Sequence, residues 1–181
     1  SPYSATKIGA DNLAVSFYRS FGLPIKIVRP FNIYGPRQSA RAIIPSISIQ
    51  ILNDMKKIKL GNLTATRDLT FVKDTVNGFI EISKKIELNG ESINIGMNDE
   101  ISIKDLVGKI SQIINKKITI ITDEERVRPE KSEVNRLVCD NSKITKLTNW
   151  KPQYNLEKGL KETIEWLEQN KKLFKSDIYN K

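Results

Sequence analysis

The first twenty residues of the chain carry apolar side chains at helical spacing. This apolar stripe consists of Ile8, Leu13, Phe17 and Phe21. Ser1 is able to cap the amino terminus of a helix, and Gly22 is typical of the residue that follows a helix. We therefore predict a helix from Pro2 to Phe21.

Segments rich in β-branched residues alternate with amphipathic segments along the rest of the chain. The former predict strands or extended segments at 25–28, 57–60, 68–72, 91–95 and 118–121. The latter predict helices at 43–53, 74–86, 103–114, 142–147 and 156–169. The segment 29–37 is too rich in proline and glycine for regular structure, so it predicts a loop. This alternation is typical of a parallel sheet, so the predicted fold class is α/β.

The helix predicted at 74–86 has an apolar stripe of its own. Its members are Val76, Phe79, Ile80 and Ile82. Because apolar stripes of globular helices usually pack against a core, we expect these side chains to face inward.

Composition narrows the kinds of site that the chain can hold. A single cysteine, Cys139, and the absence of histidine exclude an internal disulfide, a Ser-His-Asp triad and histidine-based metal sites within this chain. We expect no metal, a cytoplasmic location and a general base drawn from Tyr, Lys, Asp, Glu or a thiol.

The net charge of +9 comes from lysines that are spread along the chain. No arginine-rich or aromatic-interleaved basic motif accompanies them, so we expect no nucleic-acid partner. A general attraction for anionic ligands is the more useful consequence. No run of 18 apolar residues occurs, so no membrane-spanning segment is expected either.

Tyr3 and Lys7 lie four residues apart on the first predicted helix, so their side chains share one face. A free tyrosine ionises at about pH 10 and is a poor base at neutrality. A lysine ammonium one turn away stabilises the phenolate. The pair is therefore a candidate proton acceptor, although the same spacing also occurs in helices that have no catalytic role.

Three motifs together are more specific than this spacing. They are Tyr3-Ser4-Ala5-Thr6-Lys7, Arg29-Pro30-Phe31-Asn32-Ile33-Tyr34-Gly35-Pro36 and Arg67-Asp68-Leu69-Thr70-Phe71-Val72-Lys73-Asp74. In this order the chain resembles the NAD-dependent epimerase/dehydratase family, the extended short-chain dehydrogenases that act on nucleotide sugars. The resemblance covers essentially the whole chain, and it implies NAD as cofactor and a nucleotide-diphosphate sugar as substrate.

The resemblance implies roles for four residues near the cofactor. Tyr3 is expected to be the catalytic base, and Lys7 is expected to hold the nicotinamide ribose and favour the ionised tyrosine. Pro30 and Asn32 are expected to contact the nicotinamide end of NAD, while Asn32 also reaches the phosphate of the substrate.

Arginines are expected on the substrate side. Arg67 resembles the arginine that clamps the nucleotide diphosphate, and Arg128 resembles a second arginine in the same pocket. Guanidinium groups suit this task because their fork of donors matches phosphate oxygens. Arg37 and Arg41, just past the Asn32 loop, either add to this pocket or lie on the solvated surface.

Ion pairing with nearby carboxylates is the alternative interpretation of Arg67 and Arg128. Arg67 can pair with Asp68 or Asp74, and Arg128 lies close in sequence to Glu125 and Glu130.

The glycine-rich phosphate loop of this family is missing from the sequence, whose nine glycines are scattered. We therefore expect the carboxy-terminal part of a longer enzyme, with the second half of a Rossmann-type parallel sheet and a smaller α/β substrate-binding domain. Residues 1–36 and 74–97 are assigned to the Rossmann part. Residues 37–73 and 98–170 are assigned to the substrate-binding domain, and residues 171–181 to a basic tail.

The finer sequence pattern favours one reaction. The segments 37–42, 66–72 and 128–134 resemble bacterial nucleotide-sugar 4,6-dehydratases of the legionaminic acid pathway, which serves cell-surface polysaccharide biosynthesis. We predict a 4,6-dehydratase of this kind, which converts a nucleotide-linked hexose, expected to be N-acetylglucosamine, into a 4-keto-6-deoxy sugar. A UDP-hexose 4-epimerase shares most of these residues, and an inactive piece that retains only substrate binding is a third interpretation. The resemblance also implies a homodimer.

Overall fold

The computed structural model describes residues 1–123 and 134–174, and within these ranges helices and strands alternate. The helices are α1 (Pro2–Phe21), α2 (Ile43–Leu52), α3 (Val72–Ser83), α4 (Ile103–Ile114), α5 (Ser142–Leu147) and α6 (Leu156–Gln169), with short 3-10 turns at Ile86–Leu88 and Lys171–Leu173. The strands are β1 (Ile27–Pro30), β2 (Ile33–Tyr34), β3 (Lys57–Leu60), β4 (Thr66–Arg67), β5 (Thr70–Phe71), β6 (Ser92–Ile95), β7 (Ile101–Ser102), β8 (Thr119–Thr122) and β9 (Arg136–Leu137). The predicted α/β class is confirmed.

Helix α1 is capped at both ends by the residues that the sequence indicates. The backbone N–H of Ser4 donates to the Ser1 hydroxyl at 3.2 Å. At the other end Gly22 adopts a left-handed backbone with φ 66° and donates to the Tyr18 carbonyl, a conformation that costs glycine little. None of the side chains of α1 is buried against the described chain. The apolar stripe predicted from the sequence therefore lies on an exposed helix.

Strands β1 and β6 form a parallel pair that leads directly to the Asn32 loop. The register runs from Ile27 opposite Ser92 to Pro30 opposite Ile95. The pairing continues one residue further, because the Phe31 N–H donates to the Ile95 carbonyl at 2.8 Å. A buried cluster supports this pair on one side: Ile82, Leu88, Ile93, Ile95, Ile144 and Trp150, with Val28 packed against it.

The remaining strands and helices surround a second and larger core. Strand β3 pairs in parallel with β8, strand β2 pairs in parallel with β5, and β4 lies between β7 and β9. Helices α2, α4 and α6 contribute the buried side chains that cover these short strands, among them Ile47, Leu106 and Leu160. This core supports the loops that follow β2 and β3.

The buried face of helix α3 differs from the face predicted from the sequence. Val76, Phe79 and Ile80 are exposed, and only Ile82 of the predicted stripe is buried. The helix instead turns its small residues inward, because Gly78 lies so close to Ile95 that an added Cβ would stand 2.7 Å from its Cδ1. Because glycine carries no Cβ at this position, this face of α3 can pack closely against the core.

Within the described residues, every helix is too short or too polar to cross a lipid bilayer.

Candidate active site

The first turns of α1 bring Tyr3 and Lys7 together as their spacing predicts. The Lys7 ammonium lies 5.5 Å from the centre of the Tyr3 ring. The hydroxyl of Thr6 donates to the Tyr3 carbonyl at 2.8 Å, which helps to fix the backbone between them. Tyr3 is 71% exposed, so its phenol is open to an incoming group.

The loop after β1 holds Asn32 in a defined orientation. Its side-chain N–H donates to the backbone carbonyl of Asp68 at 3.0 Å. Its own carbonyl accepts from the Thr70 N–H at 3.2 Å. Because the side chain and the backbone of Asn32 are both bonded to the segment 68–70, the Asn32 loop and the segment that leads from β4 into β5 form one support.

Next to this support lies a cavity of about 410 Å³. Its polar lining consists of Asn32, Gln38, Arg41, Ser46, Asn62 and Arg67. Its apolar lining includes Ile33, Ile43, Ile44, Leu60, Ala65, Leu69 and Ile103. Among the described residues that line it there are two arginines and no carboxylate, so the cavity is suited to an anion that also carries an apolar or aromatic part.

Arg67 projects from strand β4, and one guanidinium nitrogen donates to the Thr66 carbonyl at 2.8 Å. The two carboxylates that the sequence offers as alternative partners have other bonds. Asp68 accepts the backbone N–H groups of Met97, Asn98 and Cys139. Asp74 accepts those of Gln153 and Tyr154. Asp68 thus anchors three backbone N–H groups next to Arg67 in the chain, while Asp74 anchors the segment 153–154.

The structure does not bring all of the predicted residues into one lining. Tyr3, Lys7 and Pro30 are not among the described residues that line the cavity, and neither is Arg37. Arg37 is exposed and has a left-handed backbone with φ 68°. Arg128 lies outside the described residues. The roles of these five residues remain predictions.

Three polar residues of the lining, Gln38, Ser46 and Asn62, were not predicted from the sequence. The Gln38 amide donates to the Ile33 carbonyl at 2.7 Å, which turns its side chain back over the Asn32 loop. The side-chain amide oxygen of Asn62 accepts the backbone N–H of Thr64 at 2.9 Å and so closes a tight turn after β3. The Asn-x-Thr pattern was the available signal for that turn; Gln38 has no comparable local signal.

Cys139 lies against the same support without taking on the properties of a nucleophile. It is fully buried. Burial, followed by the nearby charges of Asp68 and Asp140, raises the pKa of its thiol to about 12. A thiol in that state stays protonated and unreactive at neutral pH.

Comparison with known proteins identifies the family. The sequence model described as GDP-mannose 4,6 dehydratase matches residues 1–163. The chain belongs to this family. Membership in this dehydratase family confirms the resemblance to NAD-dependent epimerases and dehydratases that the three motifs indicated.

Relatives of this dehydratase family include both epimerases and dehydratases. A UDP-glucuronate 4-epimerase of Thermodesulfobacterium geofontis is 36% identical over 182 residues, which cover 97% of this chain and 53% of the relative. The solved UDP-glucuronic acid 4-epimerase of Bacillus cereus, in complex with UDP-glucuronic acid and NAD, is 30% identical with a TM-score of 0.85, covering 94% of this chain and 53% of that one. The solved dTDP-glucose 4,6-dehydratase of Bacillus anthracis, in complex with NAD, is 31% identical with a TM-score of 0.83, covering 95% and 53%. The chain thus spans about half the length of these relatives.

Proposed function

We propose that the protein containing this chain is an NAD-dependent nucleotide-sugar 4,6-dehydratase that acts on a nucleotide-linked N-acetylglucosamine. The observation that carries the proposal is the cavity beside the Asn32 loop, which combines two arginines with an apolar wall and has no carboxylate among its described lining residues. The match of residues 1–163 to a 4,6-dehydratase family supports the choice of reaction.

In this proposal the cavity binds the nucleotide diphosphate. Arg67 and Arg41 supply positive charge and forked donors to the phosphate oxygens. The apolar wall that includes Ile44 and Leu60 suits the flat face of a nucleobase. Arg128 is proposed as a further diphosphate ligand, and Arg37 as a peripheral one.

The residues present also suit the nicotinamide end of NAD. An exposed Lys7 ammonium and an exposed Tyr3 hydroxyl offer hydrogen bonds to a ribose, and both stand on one turn of α1. Pro30 ends a parallel strand, the usual place for a cofactor in an open α/β sheet. When bound, NAD supplies reversible hydride acceptance, and we propose Tyr3, Lys7, Pro30 and Asn32 as its contacts in this chain.

Tyr3 acts in this scheme as the general base. Its phenolate takes the proton of the sugar 4-hydroxyl while that carbon is oxidised to a ketone. Lys7 stabilises the phenolate through its charge. The ketone acidifies the C5 proton, so that water can leave across C5 and C6. The hydride removed from C4 would then be returned to C6 from the bound cofactor, and C5 would take up a proton from solvent, which gives the 4-keto-6-deoxy product with no net change of NAD. Tyr3 passes the proton taken from the 4-hydroxyl to solvent when the product leaves.

A nucleotide-sugar 4-epimerase is the second candidate. The 36% identity to the UDP-glucuronate 4-epimerase of Thermodesulfobacterium geofontis favours it. The two reactions use the same Tyr–Lys pair and differ only after the ketone is formed. The residues named above keep their proposed roles in either case.

The product distinguishes the two reactions. We expect the complete enzyme to convert UDP- or GDP-linked N-acetylglucosamine into a product lighter by the mass of one water, with no net consumption of NAD. In deuterated water the dehydration product gains deuterium at C5. A product of unchanged mass, inverted at C4 and without deuterium at C5, would assign the protein to the epimerases.

A further inference from the structure

Asp68 is a buried carboxylate that accepts three backbone N–H groups from segments far from it in the sequence. Its side chain is fully buried. One oxygen accepts the Met97 N–H at 2.9 Å. The other accepts the Asn98 N–H at 2.9 Å and the Cys139 N–H at 3.1 Å. Burial of a carboxylate is costly unless hydrogen bonds compensate it, so this arrangement fixes the three backbone segments firmly.

The backbone of Asp68 connects these three anchored segments to the cavity. Its carbonyl accepts the side-chain N–H of Asn32, which lines the cavity. Its N–H donates to the Leu137 carbonyl at 2.9 Å and so extends the pairing of β4 with β9. Arg67, the preceding residue, therefore projects into the cavity from a strand that is held on both sides.

Gly96 shows how closely the segments approach Asp68. A Cβ at this position would lie 2.2 Å from the Cβ of Cys139 and 3.1 Å from an Asp68 oxygen. Only glycine lets the chain after β6 reach the carboxylate at that distance. The backbone is thus shaped around Asp68.

We propose that Asp68 is a positioning residue for substrate binding: it fixes the Asn32 amide and the Arg67 strand relative to each other so that both contact one diphosphate. This inference rests on the proposed function, because it presumes that the cavity binds a nucleotide diphosphate. Asp68 acts through these two neighbours and does not itself touch the ligand.

The chain offers a matched control. Asp74 is equally buried, and its carboxylate also accepts backbone N–H groups, from Gln153 at 2.8 Å and Tyr154 at 3.0 Å. Its carbonyl accepts the indole N–H of Trp150. None of these three partners lines the cavity. Asp68→Asn and Asp74→Asn therefore remove the same kind of acceptor, but only Asp68 is bonded through its backbone carbonyl to a residue that lines the cavity, Asn32.

The experiment compares both variants in the complete protein. Binding of UDP, GDP and dTDP is titrated calorimetrically, kcat and KM are measured separately, and Tm is recorded. We expect both variants to lower Tm, because an amide nitrogen cannot accept the N–H that the carboxylate accepted. Only Asp68→Asn should weaken nucleotide binding, by roughly tenfold or more, the scale of a lost charge-assisted contact. Its KM should rise more than its kcat falls.

Unchanged nucleotide affinity and KM in Asp68→Asn, with a wild-type protein that binds a nucleotide, would overturn this inference and leave the proposed function standing. A wild-type protein that binds none of the three nucleotides overturns both.

Hydrogen exchange of the wild-type protein gives a test that does not depend on the folding of a variant. Addition of the bound nucleotide should slow exchange at the amides of Met97, Asn98 and Cys139, and should leave the amides of Gln153 and Tyr154 unchanged. Equal effects at both sets, or none at the first, would also contradict a positioning role.

Discussion

Tyr3 stands on a solvent-exposed turn of α1, with the Lys7 ammonium 5.5 Å from the centre of its ring. Tyr34 shows the contrast, because burial and then the charge of Asp74 raise the pKa of its phenol far above the usual range. Its hydroxyl donates to the Leu156 carbonyl and serves packing. At the scale of single residues, Tyr3 is open to a ligand while the hydroxyl of Tyr34 is engaged in packing, which supports Tyr3 as the proposed base.

Tyr3→Phe should abolish turnover of the complete enzyme and leave its fold intact, because the ring remains while the ionisable proton is lost. General bases contribute roughly 10²–10⁴-fold, so we expect a fall in kcat of that order. Tyr18→Phe is the control, because Tyr18 lies on the same helix but outside the cavity lining, and this variant should retain most of the activity. Activity above half of wild type in Tyr3→Phe would refute the role of this residue as the base.

Lys7→Met keeps the length of the side chain and removes its charge. We expect a loss of kcat close to that of Tyr3→Phe, together with weaker NAD binding, because the ammonium both stabilises the phenolate and offers donors to the ribose. Fluorescence titration with NADH measures the second effect. A variant with normal kcat and normal NADH affinity would remove Lys7 from the site.

Arg67→Ala should weaken binding of the nucleotide diphosphate and leave the affinity for NAD unchanged. The expected loss is on the order of 1.5–3 kcal/mol of binding free energy, the usual contribution of a charge-assisted hydrogen bond. Arg19→Ala on α1 is the control, since it removes the same charge from a position outside the cavity. Calorimetric titration with the nucleoside diphosphate decides the matter, and equal affinities for wild type and Arg67→Ala would place the diphosphate elsewhere.

At the scale of elements, local signals predicted the helices well. The bounds of α1, α4 and α6 agree with those predicted, because each begins at a side-chain cap on Ser1, Ser102 or Asn155. The short strands β4 and β5 were seen only as one extended segment, since two-residue strands are defined by their distant partners.

The buried face of α3 and the contacts of Asp68 could not be predicted from the sequence for one physical reason: both depend on residues that are far apart in the chain. Which side of α3 is buried depends on its close approach to Ile95 and Trp150 at Gly78, and this contact joins residues far apart in sequence. The role of Asp68 likewise depends on Met97, Asn98 and Cys139. The motif predicted that residues 67 and 68 matter, but it could not distinguish an ion pair from an anchor for three loops.

One ion pair connects the helix that carries Tyr3 to the strand that leads to Asn32. The Arg29 guanidinium lies 2.6 Å from Asp11, which is two turns beyond Tyr3. Pairs with this exposure stabilise by about 0.2–1 kcal/mol. We therefore expect Asp11→Arg to lower kcat only a few-fold, by shifting α1, and the exchange Asp11→Arg with Arg29→Asp to restore it. A swap no better than the single variant would mean that the pair does not position α1.

At the scale of the whole molecule, the described chain leaves two helices with unusual apolar exposure. Helix α1 exposes Phe17 and Phe21, and helix α3 exposes Phe79 and Ile80. Monomeric soluble proteins rarely leave such apolar surface uncovered, and patches of this kind promote association. The apolar side chains of the second core, around α2, α4 and α6, are covered, because these helices pack against one another. Any tendency to associate should therefore come from α1 and α3.

Residues 1–181 expressed alone should consequently self-associate, and charge on these two helices should reduce the effect. We expect light scattering and size-exclusion chromatography to show large species for the unmodified chain and smaller ones for Phe17→Glu combined with Phe79→Glu. Leu173→Glu is the control, because Leu173 is 70% exposed but lies on neither helix. The added charge is the same at each site, so a general gain in solubility would appear in the control as well. If Leu173→Glu were as effective per substitution as the changes on α1 and α3, or if the unmodified chain were a stable monomer, association would not arise from these two faces.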